Sequence, residues 1–104
     1  MYVTDISPAI EALSAATPQS TIMLFGSRAR GEERPDSDWD LLVIEPEVQS
    51  RHQEMARLSR LLRPFRISAD ILVLSRKIFE EWANVPNTVI YEAAREGKIL
   101  YAPA

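Results

Sequence analysis

The stretch FGSRARGEERPDSDWDLLVIE, residues 25–45, decides the fold because it joins two apolar runs through a basic and polar turn. The first run, residues 21–25, ends at a glycine, and the second run covers residues 39–44. Both have the length and the apolar content of buried strands. Asp38 and Asp40 stand at the start of the second run. The stretch therefore predicts a strand, a polar turn and a second strand that begins with two carboxylates.

Helix signals flank this strand pair on both sides. Before it, Ser7-Pro8 predicts an N-cap and a first helical position, and Thr17-Pro18 ends the helix. After it, apolar residues recur at helical spacing and predict an amphipathic helix over residues 47–63. Pro64 ends this second helix, since proline cannot continue one.

A third strand and a short helix follow. Residues 65–75 are an apolar run of strand type. Ser75 then caps a short helix whose apolar residues Ile78, Phe79 and Trp82 are predicted to face inward.

The chain closes with one more helix and one more strand. The helix is predicted from Asn87 to Glu96, with Gly97 as its C-cap, and residues 98–101 form a short strand. The resulting order of elements predicts an α/β (α+β) fold, a small mixed β-sheet with helices packed on it. No composition shift marks a boundary, so residues 1–104 are expected to form a single domain.

The composition excludes several classes of protein. With 104 residues, 46% hydrophobic, the chain can bury one core of moderate size. The absence of cysteine excludes a disulfide framework and a thiolate metal site. A net charge of −3 argues against direct nucleic-acid binding. There is no apolar run of the ~20 residues that cross a bilayer and no signal-peptide pattern, so a cytoplasmic location without membrane contact is expected.

The glycine-serine pair that ends the first strand has the features of an anion-binding turn. Gly26 allows close approach of the backbone to a ligand, and Ser27 offers a hydroxyl and an amide. Arg28 and Arg30 add donors suited to phosphate. The alternative, that Gly26-Ser27 only turns the chain and the arginines are solvated, is favoured when the pair is considered alone.

The aspartates suggest a cation site. Asp38 and Asp40 leave the same face of a strand, ~6.5 Å apart, whereas Trp39 points to the other face. Two such carboxylates repel each other unless a proton or cation lies between them, and hard divalent metals prefer oxygen ligands. Asp70, inside the third strand, supplies a third carboxylate. Its alternative role is an edge-strand charge that faces water.

A calcium-binding EF-hand loop is the competing metal site. Four acidic residues match its ligand positions: Asp36, Asp38, Asp40 and Glu47. The loop requires glycine at its sixth position, and Leu41 occupies that position here. The sequence therefore excludes an EF-hand.

These elements together resemble a known superfamily. Gly26-Ser27, the pair Asp38 and Asp40, and the downstream Asp70 resemble the nucleotidyltransferases that share a fold with DNA polymerase β. The longer string GSRARGEERPDSDWDLLV is similar to the minimal nucleotidyltransferase (MNT) family, whose pattern is G-S-x-A-R-G, a short gap and S-D-x-D-L.

The resemblance implies a reaction and a role for each motif residue. Three residues would contact the triphosphate of ATP: Gly26, Ser27 and Arg30. Three would be catalytic and would hold Mg²⁺, two ions being expected: Asp38, Asp40 and Asp70. An acceptor hydroxyl would attack the α-phosphorus of ATP, take up AMP and release pyrophosphate. Asp70 would also help to deprotonate that hydroxyl.

The resemblance also implies a partner. The chain after Asp70 is too short for an acceptor-binding domain. Minimal nucleotidyltransferases are often paired with a HEPN-type toxin, so the chain is expected to act as an antitoxin that adds AMP to a tyrosine of that toxin. Two alternatives stay open: a non-catalytic module that inhibits the toxin by occlusion, and a small-molecule or RNA nucleotidyltransferase with a separate acceptor subunit.

The remaining polar and aromatic side chains are assigned structural roles. The second helix carries basic residues that are expected to be solvated: Arg51, Arg57, Arg60 and Arg63. His52 is expected on the surface, and three aromatic residues are expected to pack in the core: Trp82, Tyr91 and Tyr101.

Overall fold

The computed structural model describes residues 5–103. Its strands are Thr21–Phe25 (β1), Trp39–Glu45 (β2), Ala69–Ser75 (β3) and Lys98–Tyr101 (β4). Its helices are Ser7–Ala16 (α1), Ser27–Arg30 (α2), Arg51–Leu62 (α3), Arg76–Trp82 (α4) and Val89–Glu96 (α5), and a 3-10 turn, Arg63–Phe65, follows α3. Within residues 5–103 no helix has the length and apolar character needed to cross a bilayer.

The strands form one mixed sheet in the order β3-β2-β1-β4. β1 runs antiparallel to both β2 and β4, whereas β2 runs parallel to β3. A parallel pair needs a crossover connection, and α3 lies in the crossover from β2 to β3. The predicted α/β (α+β) fold, a small mixed sheet with helices packed on it, is confirmed.

The sheet is covered unequally on its two faces. One face packs on α1 and α3 in a larger core cluster that includes Leu13, Leu41, Val43 and Leu58. The other face packs on α5 in a smaller cluster that includes Leu42, Ile44 and Ala93. Because β2 is buried on both faces, its sequence is a continuous apolar run and does not alternate.

The starts of α1 and α3 differ from the prediction. Ser7 is not the cap of α1; its backbone N–H donates to Oδ1 of Asp5 at 3.0 Å. α3 begins at Arg51, four residues later than expected, because Ser50 caps it by accepting a hydrogen bond from the N–H of Gln53. Val48 precedes the helix and still packs against the larger core cluster, so its apolar character did not mark a helical position.

The third strand also begins later than predicted, at Ala69 and not at residue 65. The chain leaves α3 through the 3-10 turn around Pro64, and Arg66 then adopts a left-handed conformation with φ of 55°. Phe65 therefore belongs to the turn, although it packs against the larger cluster as a strand residue would.

The short helix α4 is capped as predicted but oriented differently. The hydroxyl of Ser75 accepts a hydrogen bond from the N–H of Ile78 at 3.2 Å. Only Phe79 of the three predicted inward residues packs against the smaller cluster. Ile78 is 38% exposed and Trp82 is 44% exposed, so their inward assignment is wrong.

The last helix starts two residues later than predicted, at Val89, and ends at Glu96 as predicted. Asn87 is left-handed, with φ of 67°, and Thr88 caps α5 by accepting a hydrogen bond from the N–H of Tyr91. Gly97 donates its N–H to the carbonyl of Ala93 at 2.8 Å. A Cβ at Gly97 would overlap that carbonyl, so glycine is needed for close packing.

The surface assignments are mostly confirmed. His52, Arg51, Arg60 and Arg63 are exposed, and Arg57 is half-buried. Tyr101 packs against the larger cluster and donates its hydroxyl to the carbonyl of Pro18 at 2.8 Å. Tyr91 is half-buried beneath the guanidinium of Arg95. The core assignment therefore holds for Tyr101, whereas Trp82 is 44% exposed and Tyr91 packs against neither core cluster.

Candidate active site

The predicted phosphate turn and two of the predicted carboxylates meet at one end of the sheet. Since β1 is antiparallel to β2 and β2 is parallel to β3, the end of β1 adjoins the starts of β2 and β3. Phe25, the last residue of β1, lies opposite Asp40, and Asp40 lies opposite Asp70. Gly26 follows Phe25 directly. The topology thus brings Gly26, Asp40 and Asp70 together.

Gly26 is in direct contact with Asp40. The glycine has φ of 75°, a conformation that residues with a side chain rarely adopt. A Cβ at this position would overlap the carboxylate of Asp40. The turn therefore requires glycine for two independent reasons, and the second places the polar turn against a predicted metal ligand.

The one-turn helix α2 sends its arginines to opposite faces of the sheet. It begins at Ser27, and the carbonyl of Gly26 accepts hydrogen bonds from the N–H groups of Ala29 and Arg30. The first N–H groups of such a turn have no partner within the helix. Arg28 packs toward the α1 and α3 face, and Arg30 extends to α5 on the other face.

Arg28 is a structural residue, so the alternative in which its side chain is solvated does not hold. It is half-buried, and its guanidinium carbon lies 4.0 Å from the ring centre of Trp39. Its Nε and Nη2 donate to the carbonyl of Ser37 at 3.1 and 2.8 Å. Trp39 is buried on the face opposite Asp40, as predicted. Arg28 thus fixes the loop that leads into β2.

Asp38 is anchored by a residue that the sequence did not single out. It lies just before β2 and accepts a hydrogen bond at Oδ1 from the hydroxyl of Ser68. The N–H of Trp39 donates to the carbonyl of Ser68 at 2.8 Å. Ser68 precedes β3, so this pair of contacts joins the two strand starts. No local signal marks Ser68, because its role depends on the parallel register of β2 and β3.

Burial and the neighbouring charges shift the pKa of Asp40. Burial raises the pKa of Asp40, and the charges of Asp70 and Asp38 raise it further, whereas the charge of Arg30 lowers it. Asp38 and Asp70 are exposed, and Asp40 is half-buried. Across residues 5–103, no three His, Cys, Asp or Glu side chains are grouped closely enough to hold a metal ion as they stand.

Arg30 contacts carboxylates on two segments. Its Nε donates to Glu32 at 2.5 Å, and its Nη1 donates to Glu92 of α5 at 3.1 Å. The same nitrogen lies 3.7 Å from Oε2 of Glu96. Glu92 and Glu96 stand four positions apart, a spacing visible in the sequence, but their common partner is more than sixty residues away and was not foreseen.

Comparison with known proteins identifies the fold family. The model of the family described as polymerase beta, nucleotidyltransferase matches residues 9–103. Curated proteins give no significant match.

Three solved structures illustrate the similarity. A protein from Sulfolobus solfataricus assigned as a nucleotidyltransferase has a TM-score of 0.65 at 20% identity, covering 91% of this chain and 75% of that one. A toxin-antitoxin structure with AMP-PNP has a TM-score of 0.64 at 19% identity, covering 91% and 72%. A tri-AMPylated Shewanella oneidensis HEPN toxin in complex with MNT antitoxin has a TM-score of 0.59 at 18% identity, covering 92% and 68%.

At these identities the structural likeness establishes the fold, and the match to the family model establishes the family. The match begins in α1 and continues past β4, so it includes the turn at Gly26 and all three aspartates. This chain belongs to the polymerase β nucleotidyltransferase family.

Proposed function

We propose that this protein is a magnesium-dependent nucleotidyltransferase that transfers AMP from ATP to a tyrosine hydroxyl of a HEPN-type toxin. By this transfer it would act as the antitoxin of that toxin. The observation that carries the proposal is the contact of Gly26 with Asp40, which itself lies opposite Asp70. A turn suited to phosphates and carboxylates suited to metals thus form one site. The structural neighbours that contain AMP-PNP and an AMPylated HEPN toxin support the choice of nucleotide and acceptor.

The carboxylates of the site suit a hard divalent cation by their donor chemistry, although they would have to move closer together to hold it. Carboxylate oxygens are the donors that Mg²⁺ prefers. Asp40 is partly desolvated, and two neighbouring negative charges oppose its ionisation. A cation would relieve that repulsion. Asp38, Asp40 and Asp70 would hold the metal. Bound magnesium would neutralise phosphate charge and lower the pKa of an acceptor hydroxyl.

The turn would hold the phosphates of ATP. Gly26 lets the backbone approach closely, and the N–H groups at the start of α2 and the hydroxyl of Ser27 supply donors. Arg30 would add a charge-assisted contact. Hydrogen-bond donors fixed in advance stabilise the charge that develops on the leaving pyrophosphate.

The acceptor would approach along the exposed edge of the sheet. β3 is an edge strand, and Asp70 is exposed near its start. An acceptor hydroxyl that enters there would lie near the carboxylate of Asp70. That carboxylate could take the hydroxyl proton while the hydroxyl oxygen attacks the α-phosphorus of ATP. The open position of Asp70 is suited to an acceptor that another protein presents.

Asp70→Asn separates transfer from occlusion. The substitution keeps the size of the side chain and removes its charge. The variant is expected to bind the cognate toxin but to leave its mass unchanged after incubation with ATP and magnesium, whereas the wild type adds AMP. Intact-mass spectrometry of the toxin measures the addition.

A matched control is Asp36→Asn, at an exposed aspartate of the loop before β2. It is expected to add AMP at the wild-type rate. Full rescue of toxin-challenged cells by Asp70→Asn, with no gain in toxin mass, would replace the enzymatic proposal by occlusion. AMP addition to RNA or to a small molecule, with none to the toxin, would favour the third alternative.

A further inference from the structure

Arg30 stands between the acidic site and a second pair of carboxylates. Its Nη1 contacts Glu92 at 3.1 Å and Glu96 at 3.7 Å, both on α5. Arg30 is also the last residue of α2, and its backbone N–H donates to the carbonyl of Gly26, the first residue of the predicted phosphate turn, at 3.2 Å. Arg30 therefore links the helix α5 to that turn.

The ion pairs that hold Arg30 are weak. The side chains of Glu92 and Glu96 are 47% and 49% exposed, and that of Arg30 is 34% exposed. Water screens such pairs, and each contributes little. They can be exchanged for a stronger partner, and a triphosphate, which offers several charged oxygens to the planar guanidinium, is such a partner.

We propose that Glu92 and Glu96 compete with the triphosphate of the nucleotide for Arg30 and thereby lower the nucleotide affinity of the site. This inference rests on the proposed function and deepens it. An N–H group that donates to a carboxylate of α5 must leave it before it donates to a phosphate. The apparent affinity for nucleotide is reduced by the fraction of molecules in which Arg30 is held.

The test replaces both glutamates by glutamine, Glu92→Gln with Glu96→Gln, and measures ATP affinity with magnesium by calorimetry at fixed ionic strength. The double variant is expected to bind ATP about two- to tenfold more tightly than the wild type. The matched control is Glu80→Gln with Glu81→Gln, which makes the same change of charge at exposed positions of α4 and is expected to bind ATP as the wild type does.

A double-mutant cycle with Arg30→Gln distinguishes competition from simple repulsion of the nucleotide by α5. If the glutamates act through Arg30, their replacement has no effect on ATP affinity in the Arg30→Gln background. Equal tightening in both backgrounds would overturn the proposal. So would unchanged or weaker ATP binding when the two glutamates are replaced in the protein that retains Arg30. Absence of ATP binding by the wild type and every variant would instead overturn the proposed function, and the competition with it.

Discussion

Gly26 shows how a single residue links two motifs that are separate in the sequence. Its positive φ makes glycine necessary for the turn, and its contact with Asp40 makes glycine necessary for the site. An alanine there would strain the backbone and displace the carboxylate. Ser27→Ala, which changes no backbone requirement, is therefore the cleaner probe of phosphate binding.

The charge of Asp40 is expected to lower the stability of the folded protein while it supports AMP transfer. Its pKa is raised above the ordinary value of 3.8, so folding favours its protonated form, and its ionisation near neutral pH opposes folding. Asp40→Asn should unfold at an equal or higher urea concentration than the wild type at pH 7. The same variant should lose AMP transfer by roughly 10²–10³-fold or more, the scale of losing one charged element of such a site.

Both properties are measured on one preparation, by urea unfolding and by intact mass of the acceptor. Asp36→Asn is the control, since Asp36 is exposed and outside the site. A clear loss of stability in Asp40→Asn would contradict the direction of the pKa shift. Transfer at the wild-type rate would contradict the role of Asp40.

Which site residues could be predicted depended on where their partners lie. Gly26, Ser27, Asp38 and Asp40 belong to one local pattern, so they were identified together. Asp70 stood out because a charge inside an apolar strand is unfavourable. Ser68 and the α5 glutamates were missed, because each contacts a residue thirty or more positions away. Such contacts depend on strand register and helix placement, which no local pattern specifies.

At the scale of the elements, β2 and α3 are joined by a cluster of charged side chains. Burial raises the pKa of Glu45 to about 7, with further contributions from a hydrogen bond to Glu54 and from its charge. Arg57 donates two hydrogen bonds of 2.7 Å to Glu54 and holds its pKa at about 2. Oε2 of Glu45 is buried and has no hydrogen-bond partner among residues 5–103. Glu45 is therefore the carboxyl of this pair that takes up a proton first as pH falls, whereas Arg57 keeps Glu54 ionised.

This cluster makes stability depend on pH in two directions. The folded pKa of Glu45 lies above its ordinary 4.5, so its contribution is present at low pH and is lost as pH rises from 4.5 through 7. The folded pKa of Glu54 lies below 4.5, so its contribution is lost as pH falls from 4.5 toward 2. Glu45→Gln should match the wild type near pH 4.5 and become the more stable protein above pH 7.

Urea unfolding across this range measures the difference between the two proteins. Because the two proteins share all other titrating groups, the contributions of those groups to the free energy of unfolding cancel when the proteins are compared at the same pH. Glu47→Gln, at an exposed position two residues away, is the control and should follow the wild-type curve. Parallel curves for Glu45→Gln and the wild type would show that Glu45 ionises normally in the folded protein.

The element types were predictable, and their ends were less so. The spacing of apolar residues predicted α3 but placed its start too early. Val48 fits the helical spacing, yet the chain becomes helical only after Ser50. Phe65 fits the strand run, yet the left-handed Arg66 separates it from β3. In both cases an apolar side chain that belongs to a loop packs into the same core as the neighbouring helix or strand. Hydrophobic patterning reports burial, and it reports backbone conformation only indirectly.

At the scale of the whole molecule, the two faces of the sheet differ in how firmly they are held. α3 buries Leu58 and Leu62 in the larger cluster, and α1 buries Ala9, Ile10 and Leu13. α4 contributes no fully buried residue, and α5 contributes Ala93 alone. Since burial of apolar surface is the main favourable term in folding, the helices of the α5 face depend on fewer stabilising contacts.

Native-state hydrogen exchange should therefore resolve two levels of stability. The amides of α3 and β2 are expected to exchange only on global unfolding, whereas those of α4 should exchange through local opening with a free energy lower by about 2 kcal/mol or more. Mass spectrometry of peptic fragments at increasing urea separates the two classes, and α1 serves as the reference helix because it belongs to the larger cluster.

Equal opening free energies for α3 and α4 would mean that the smaller cluster is as stabilising as the larger one. The expected difference has a functional consequence for α5, which lies on the same face as α4 and holds Arg30. A helix with one buried residue can shift at low cost in free energy. The arginine that we propose as a nucleotide contact is thus paired with a helix that has few buried contacts.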